Sequence, residues 1–196
     1  MAPLILATRN EHKLRELREA LPGVELEPLP EGVLLPPETG QTFAENALGK
    51  ARAAHEATGR AVIADDSGIE AAALGGRPGV RSARYAGEGA GDEENLQKLI
   101  DDLEGADDRA LAYVCAIALV GEDGGESMFE GRCTGTLAPE PRGSGGFGYD
   151  PAFLPDDTGP ADERTMAELS PDEKHAISHR GRAARELARA LGAEKR

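Results

Sequence analysis

Two adjacent carboxylates near the middle of the chain could do chemistry. Asp65 and Asp66 follow the apolar residues 61–64 and precede Ser67-Gly68. The apolar run is typical of a buried strand, and open α/β sheets bind ligands at the carboxyl ends of their strands. Two acids there must be neutralised, which a Mg²⁺ ion carrying bound water can do. A polar turn built from Asp and Gly is the alternative, and the apolar strand before the pair favours a ligand site.

Positive charge for a phosphate could come from two segments. Residues 8–13 join a predicted strand to a predicted helix, and a helix N-terminus presents unpaired N–H groups and a partial positive charge. Lys13 adds a full charge, although a plain helix cap at Asn10 with a solvated lysine is the alternative. Lys50 lies on an otherwise apolar face of the next predicted helix, where it either reaches into a cleft or extends its ammonium group to solvent.

A Gly-rich loop at residues 143–151 carries two aromatic residues in a chain with only 4% aromatics. It formally contains G-x-G-x-x-G, but no predicted strand precedes it and no helix follows, so we reject a dinucleotide-binding fold. We interpret it as a flexible loop that lays Phe147 or Tyr149 against a flat base, with Asp150 accepting from a base N–H. A plain surface loop is the alternative.

Donor side chains gather again near the last predicted helix. Lys174 is followed by Ser178-His179-Arg180-Gly181, and His and Arg together can donate to a carbonyl or a phosphate. A solvated helix end is the alternative. The other histidines, His12, His55 and His175, lack partners at metal-ligand spacing, and we expect them at the surface.

The elements that must position these residues alternate between strand and helix. Periodicity, caps and turns predict strands at residues 4–7, 24–26, 61–64, 110–120 and 126–137. Capping boxes and stop signals predict helices at residues 11–21, 42–58 and 92–103, a helix that starts at residue 171 and a last helix at residues 178–191, and residues 69–91 read as irregular. Early alternation with a central hairpin predicts an α/β fold with a mixed sheet. We expect a single domain over residues 1–196.

Composition narrows the function classes. The net charge of −14 excludes the broad basic surface of a duplex-binding protein, so we expect no nucleic-acid partner. No apolar run approaches the roughly 20 residues that cross a bilayer, so no membrane partner is expected. Two cysteines without metal-type spacing favour a reduced, cytoplasmic setting.

Taken together, six segments resemble the inosine/xanthosine triphosphate pyrophosphatase family. They occur in the family's order, cover nearly the whole chain, and read Ala7-Thr8-Arg9-Asn10-Glu11-His12-Lys13, Thr42-Phe43-Ala44-Glu45-Asn46-Ala47, Ala64-Asp65-Asp66-Ser67-Gly68, Pro78-Gly79-Val80-Arg81-Ser82-Ala83-Arg84-Tyr85, Gly145-Gly146-Phe147-Gly148-Tyr149-Asp150-Pro151 and Ile177-Ser178-His179-Arg180-Gly181. The resemblance implies an elongated mixed sheet flanked by helices, with two lobes around a deep cleft. It also implies a cytoplasmic homodimer that uses Mg²⁺ to split ITP, dITP or XTP into monophosphate and pyrophosphate.

The resemblance also implies a role for each matching residue. Asp66 would bind metal and accept the proton, with Asp65 beside it, and Ser67 would touch the substrate. The triphosphate would be held by Thr8, Arg9, Asn10, Glu11, His12, Lys13 and Lys50. The base would be held by Phe147, Gly148, Tyr149, Asp150, Lys174, His179 and Arg180. Relatives often carry two successive acids before the Thr-Gly that precedes the capped helix, whereas here Pro37 takes the first position and leaves Glu38 as the candidate second metal ligand.

Two rival functions make different demands on the sequence. The related pyrophosphatases for modified pyrimidine nucleotides would open with a Ser-Pro-Arg turn after the first strand, and this chain has Thr8-Arg9-Asn10. A non-catalytic nucleotide sensor would need no paired acids at a strand end. Asp65-Asp66 therefore favours the enzyme.

Overall fold

The computed structural model describes residues 2–193, which form six strands and five α-helices. The strands are β1 (Leu4–Leu6), β2 (Leu26–Pro28), β3 (Val62–Ala71), β4 (Ala110–Val120), β5 (Glu126–Leu137) and β6 (Phe153–Pro155). The helices are α1 (Glu11–Ala20), α2 (Phe43–Thr58), α3 (Asp92–Asp102), α4 (Pro171–Ile177) and α5 (His179–Ala190). None of the helices in this described part is both long and apolar enough to cross a membrane.

All six strands belong to one sheet, in the order β2-β1-β3-β4-β5-β6. β1 pairs in parallel with β2 and with β3, whereas β5 and β6 pair antiparallel. A parallel pair needs a crossover, and α1 supplies it between β1 and β2, as α2 does between β2 and β3. The predicted α/β class with a mixed sheet is confirmed.

The chain divides into two compact units. Unit 1 comprises the described parts of Met1–Asp66, Cys115–Gly131 and His179–Arg196, and unit 2 comprises Ser67–Val114 and Arg132–Ser178. Each has its own core of buried apolar side chains, with Leu6, Leu17, Ile63, Ile117 and Leu187 in unit 1. The core of unit 2 includes Ile69, Leu99, Tyr113, Phe153 and Met166. The single domain and the deep cleft remain predictions.

Local signals place the helix starts correctly. Thr42 and Glu45 form the predicted capping box at the start of α2, and Ser170 caps α4 with Glu173. Each box satisfies backbone N–H groups that a helix start would otherwise leave unpaired. Gly59 ends α2 with a φ of 67°, in the left-handed region that glycine tolerates.

The prediction that β3 stops before Asp65 is wrong. β3 continues for ten residues, so Asp65 and Asp66 lie inside the strand rather than in a turn after it. Polar residues and a glycine resemble a turn signal, but here the acids are neutralised by neighbouring side chains. Gly68 meets Ser82, since a Cβ built there would lie 2.3 Å from the Ser82 hydroxyl oxygen. The glycine therefore serves a close approach and not a turn.

Two other predicted segments need correction, and one strand was missed. β2 covers Leu26–Pro28 instead of residues 24–26, because Val24 N donates to Leu21 O and extends the turn after α1. The segment 69–91, expected to be irregular, begins with the end of β3 and contains the 3₁₀ helices Ala72–Leu74 and Gly79–Arg84. β6 was missed because three residues give too short a pattern to detect.

Candidate active site

β3 delivers two buried carboxylates, Asp65 at 1% exposure and Asp66 at 5%. Successive residues of a strand point to opposite faces of the sheet. Asp65 accordingly contacts side chains from α1 and α5, and Asp66 contacts side chains from α2. We call the resulting group in unit 1 the β3 acid cluster, which consists of Lys13, Glu16, Glu38, Lys50, Asp65, Asp66 and Arg180.

Asp65 is the centre of a cationic environment. Its Oδ2 lies 3.2 Å from Lys13 Nζ and accepts from Arg180 Nε at 3.2 Å, and Arg180 also donates to Glu16. Burial raises the pKa of Asp65, but the charges of Lys13, Arg180 and Lys50 outweigh burial and hold this pKa well below its usual range. Asp65 is therefore ionised at any working pH.

Asp66 has the opposite balance. Its Oδ2 accepts from Asn46 Nδ2 at 2.9 Å, and its Oδ1 lies 3.8 Å from Lys50 Nζ. Burial raises the pKa of Asp66, with Glu38 adding to the rise, and the nearby lysines only partly offset it. A carboxylate with a raised pKa is a better proton acceptor, so of the two adjacent acids Asp66 suits the role of base.

Lys50 joins Glu38 to this group. Its ammonium, on a residue 7% exposed, lies 2.5 Å from Glu38 Oε1. Burial lowers the pKa of Lys50, but the charges of Asp65, Asp66 and Glu38 outweigh burial and raise the pKa above its usual value. Lys50 therefore stays charged and lies between two carboxylates, instead of extending to solvent.

The turn at residues 8–13 is held by its own hydrogen bonds. Asn10 Oδ1 accepts from His12 N at 2.9 Å and Lys13 N at 3.2 Å, so the cap predicted at Asn10 is confirmed. Thr8 Oγ1 accepts from Asn10 N at 3.1 Å. Glu11 and His12 are exposed. Binding of a triphosphate by this turn remains a prediction.

Arg9 makes contacts that the sequence did not suggest. Its guanidinium donates to the carbonyls of Leu29 and Pro30 at 2.9 Å and of Val33 at 3.1 Å. These residues belong to the loop that leads to Glu38. Arg9 therefore ties the start of this loop to the end of β1.

Unit 2 contains a second buried ionic group, which we call the Asp150 cluster. Asp150, 3% exposed, accepts from the Tyr113 hydroxyl at 3.0 Å, from Lys174 Nζ at 2.7 Å and from Phe147 N at 3.0 Å. Lys174 Nζ also lies 5.3 Å from the centre of the Phe147 ring, in cation–π geometry. A carboxylate has roughly four acceptor sites, and these three donors fill most of them. Asp150 therefore holds Lys174 and the loop that carries Phe147 in place.

The two aromatic residues of the Gly-rich loop differ in accessibility. Tyr149 is 6% exposed, packs in the core of unit 2 and donates its hydroxyl to Ser82 O at 2.7 Å. Burial raises the pKa of the Tyr149 hydroxyl. Phe147 is half-buried, and Gly148 N donates to Asp92 Oδ2 at 2.8 Å. Phe147 is therefore the ring that can stack on a base, whereas Tyr149 anchors the loop.

The remaining candidates fall in both units. His179 and Arg180 are buried at the start of α5 in unit 1, at 6% and 2% exposure. Arg180 binds Asp65 and Glu16, so its charge neutralises acids, and its expected contact with a base remains a prediction. Ser67 is half-buried on β3.

Sequence reasoning missed Glu16 and Asn46. Glu16 follows Lys13 by three residues, and Asn46 precedes Lys50 by four, so each shares a helix face with a residue already singled out. That spacing was the available signal. Which acid each neighbour would meet depended on the tertiary contacts of α1 and α2.

The β3 acid cluster fits a Mg²⁺ ion by its donor set. Mg²⁺ prefers oxygen ligands, binds through one or two carboxylates and takes its other ligands from water and substrate phosphates. Asp65 Oδ1 is buried and has no hydrogen-bond partner among the described residues. Residues 2–193 contain no group of three or more His, Cys, Asp or Glu side chains arranged for a metal. An ion here would therefore depend on phosphate and water for most of its ligands.

Comparison with known proteins places the chain among nucleotide-processing enzymes. The dITP/XTP pyrophosphatase of Mycolicibacterium paratuberculosis is 49% identical, over 97% of this chain and 96% of the relative. The dITP/XTP pyrophosphatase of Coxiella burnetii is 45% identical, over 97% of each chain.

Solved structures and a family model agree with these relatives. The HAM1 protein from Coxiella burnetii has a TM-score of 0.87 at 44% identity, covering 99% of this chain and 100% of that one. The Ham1 protein of Staphylococcus aureus has a TM-score of 0.87 at 39% identity, covering 98% and 100%. The Ham1 family model matches residues 4–190. With nearly its whole length matched, this chain belongs to the Ham1 family.

Proposed function

We propose that this chain hydrolyses non-standard purine nucleoside triphosphates, such as ITP, dITP and XTP, to the monophosphate and pyrophosphate, and so removes them from the nucleotide pool. The names of the relatives support this substrate class. The observation that carries the proposal is the pairing of Glu38 and Asp66 around Lys50, with Asn46 bonded to Asp66. Buried acids beside a cation can serve both a metal and a phosphate chain.

Glu38 and Asp66 would hold Mg²⁺, since both carboxylates lie against Lys50. When bound, the ion supplies positive charge for the phosphates and lowers the pKa of a bound water. The carboxylate of Asp66 takes a proton from the water that attacks the α-phosphorus. The bond from the α-phosphorus to the bridging oxygen then breaks, and pyrophosphate leaves with the electron pair.

The leaving pyrophosphate needs fixed cations. Lys13 and Lys50 are the lysines of the β3 acid cluster, and both lie within reach of its acids. Preorganised charges of this kind stabilise a transition state because they need no rearrangement when the charge develops. We propose that the two lysines neutralise the β- and γ-phosphates, together with the partial positive charge at the start of α1.

We propose that the Asp150 cluster selects which base the protein accepts. Hypoxanthine and xanthine present a C6 carbonyl acceptor next to an N1–H donor, whereas adenine presents an amino donor and a bare nitrogen. Lys174 only donates and Asp150 only accepts when ionised, so together they suit the 6-oxo pattern. Phe147 would stack on the base. Unpaired polar groups in such a site can reject the wrong base by a factor of roughly 10⁴.

The test is pyrophosphate release across ITP, XTP, dITP, GTP, ATP and modified pyrimidine triphosphates. We expect ITP and XTP to be split with much higher kcat/KM than ATP. Equal hydrolysis of ATP would contradict the account of base choice, and preference for a pyrimidine would support the rival enzyme. Binding of ITP without turnover would support the sensor.

Assembly and setting complete the proposal. The resemblance supports a cytoplasmic homodimer that uses Mg²⁺, and the net charge of −14 supports the absence of a nucleic-acid partner. Sedimentation equilibrium of the purified chain measures the oligomeric state. A monomer at working concentrations would remove the homodimer from the proposal.

A further inference from the structure

Asn46 is a buried polar residue on α2, one turn before Lys50. It is 5% exposed. Its Oδ1 accepts from Gly40 N at 2.8 Å, and its Nδ2 donates to Asp66 Oδ2 at 2.9 Å. One amide side chain therefore connects the loop before α2 to β3.

The orientation of the Asn46 amide follows from its partners. A backbone N–H can only donate, so the atom that faces Gly40 must be the oxygen. The NH₂ group then faces Asp66, whose ionised carboxylate only accepts. Aspartate, the side chain of the same shape, could offer a neutral donor only by taking up a proton, so both contacts depend on asparagine when residue 46 is not protonated.

The loop held by this bond carries Glu38. Three of its residues, Pro30, Pro36 and Pro37, have no backbone N–H to donate. Arg9 binds the start of the loop, at the carbonyls of residues 29, 30 and 33, and Asn46 binds its end at Gly40. Because Glu38 lies two residues before Gly40, the Asn46 contact restricts where the Glu38 carboxylate can lie.

The loop approaches α2 closely at this point. A Cβ built on Gly40 would lie 2.7 Å from Asn46 Oδ1 and 2.8 Å from Glu45 Cβ. Contacts under 3.0 Å force a shift, so a side chain at residue 40 would displace either the loop or the amide. Gly40 and Asn46 therefore form one contact that can be disturbed from either side.

We propose that Asn46 is a positioning residue, which fixes Glu38 and Asp66 relative to each other so that both can hold one Mg²⁺ ion with the substrate phosphates. The inference rests on the proposed function, and it adds a residue that touches neither metal nor phosphate. Hydrogen-bond partners of metal-binding carboxylates change metal affinity or activity by about 10- to 100-fold when they are replaced.

The test compares Asn46→Ala with Asn46→Asp. The first removes both hydrogen bonds, and the second keeps the acceptor for Gly40 N but loses the neutral donor to Asp66. We expect both to raise the Mg²⁺ concentration for half-maximal ITP hydrolysis by about 10-fold or more. Backbone hydrogen exchange at residues 38–41, measured without metal or nucleotide, should accelerate in Asn46→Ala and stay slow in Asn46→Asp.

Asn95 provides a matched control. It is also a buried helix asparagine, 2% exposed on α3, whose Oδ1 accepts from Ala86 N at 2.8 Å and whose Nδ2 donates to Ala83 O at 3.3 Å. It bridges two backbone groups and no carboxylate. Asn95→Ala should lower thermal stability as Asn46→Ala does, while leaving the Mg²⁺ requirement and the exchange at residues 38–41 unchanged.

Gly40→Ala tests the same contact if Asn46→Ala fails to fold, and it should raise the Mg²⁺ requirement in the same direction. The inference is overturned if Asn46→Ala or Gly40→Ala keeps the wild-type Mg²⁺ dependence, or if Asn95→Ala shifts it equally. Hydrogen exchange measures the hydrogen bond from Gly40 N to Asn46 Oδ1 directly, so it does not depend on whether the protein releases pyrophosphate. Absence of turnover in the wild type would therefore contradict the proposed function. Unchanged hydrogen exchange at residues 38–41 in Asn46→Ala would contradict the positioning role of Asn46.

Discussion

The two buried ionic groups of this chain differ in how completely they are neutralised. In the Asp150 cluster, one acid meets one lysine and two neutral donors. The β3 acid cluster has four acids, Glu16, Glu38, Asp65 and Asp66, against three cations, Lys13, Lys50 and Arg180. It also contains a buried carboxylate oxygen, Asp65 Oδ1, without a partner in the described chain.

The difference indicates that the Asp150 cluster holds parts of the protein in place, whereas the β3 acid cluster can bind a cation. A buried charge is tolerated when it is paired and hydrogen-bonded, as Asp150 is. A cluster with surplus negative charge and an unsatisfied oxygen favours the arrival of a cation, and Mg²⁺ with a triphosphate brings both a cation and anions for the lysines. The comparison supports the proposal that the β3 acid cluster carries the chemistry, whereas the contacts of Asp150 hold its own loop in place, and four changes test it.

The largest effect is expected from Asp66→Asn. The change removes a proposed metal ligand and the proposed proton acceptor while keeping the shape of the side chain. We expect kcat to fall on the order of a hundredfold or more with the fold intact. Single-turnover ITP hydrolysis at saturating Mg²⁺ and circular dichroism measure the two outcomes. Near-normal turnover would remove Asp66 from the mechanism.

Asp150→Asn should act on stability first. The amide no longer supplies the carboxylate that accepts from the ammonium of Lys174, on a residue 8% exposed. Breaking a buried pair costs about 3 kcal/mol or more, measured as the free energy of unfolding in urea. Glu126→Gln is the control, since its pair with Arg52 is exposed and should contribute far less. Equal losses in both variants would mean that Asp150 is not a buried anchor.

Asp65 and Asp66 should give opposite pH dependences of stability in the absence of metal. The folded-state pKa of Asp65 lies below its unfolded value, so its contribution is complete above about pH 4 and is lost as the pH falls towards the folded pKa. The stability gap between wild type and Asp65→Asn should shrink by on the order of 1 kcal/mol as the pH falls from about 7 to about 3.

The pKa of Asp66 is raised in the fold, so ionised Asp66 reduces stability as the pH rises through that range. Asp66→Asn should therefore gain on wild type with increasing pH. Urea denaturation between about pH 3 and pH 7 measures both gaps. Gaps that change in the same direction with pH would contradict the assignment of the two acids.

The smallest effect is expected from Arg9→Met. Arg9 is exposed, and its three bonds to backbone carbonyls should contribute about 1 kcal/mol to the order of the loop. We expect faster proteolysis near residues 29–33 and a KM for ITP within a few-fold of wild type. A large rise in KM with unchanged proteolysis would indicate that Arg9 binds the triphosphate and does not order the loop.

The sequence alone determined the helix starts, the bounds of two strands and several candidate site residues, because these features depend on neighbouring residues. The capping boxes at Thr42 and Ser170 and the cap at Asn10 depend on neighbouring residues, so the predicted helices lie where the structure has them. Strands β4 and β5 have long apolar or alternating patterns, and their predicted bounds are confirmed. The motifs also singled out Asp65 and Asp66 after an apolar strand, Lys13 at a helix start and Lys50 on an apolar helix face, because each pattern is local in the chain.

Tertiary structure decided which charges meet. The sequence placed Asp65 and Asp66 after the end of the strand. In the fold β3 continues through them, because side chains of α1 and α5 neutralise Asp65 and side chains of α2 contact Asp66. The pairing of Arg180 with Asp65 joins residues 115 positions apart, which no local pattern encodes. The opposite pKa shifts of two adjacent acids, and the bridge that Asn46 makes between Gly40 and Asp66, arise only once the fold has buried them among different partners.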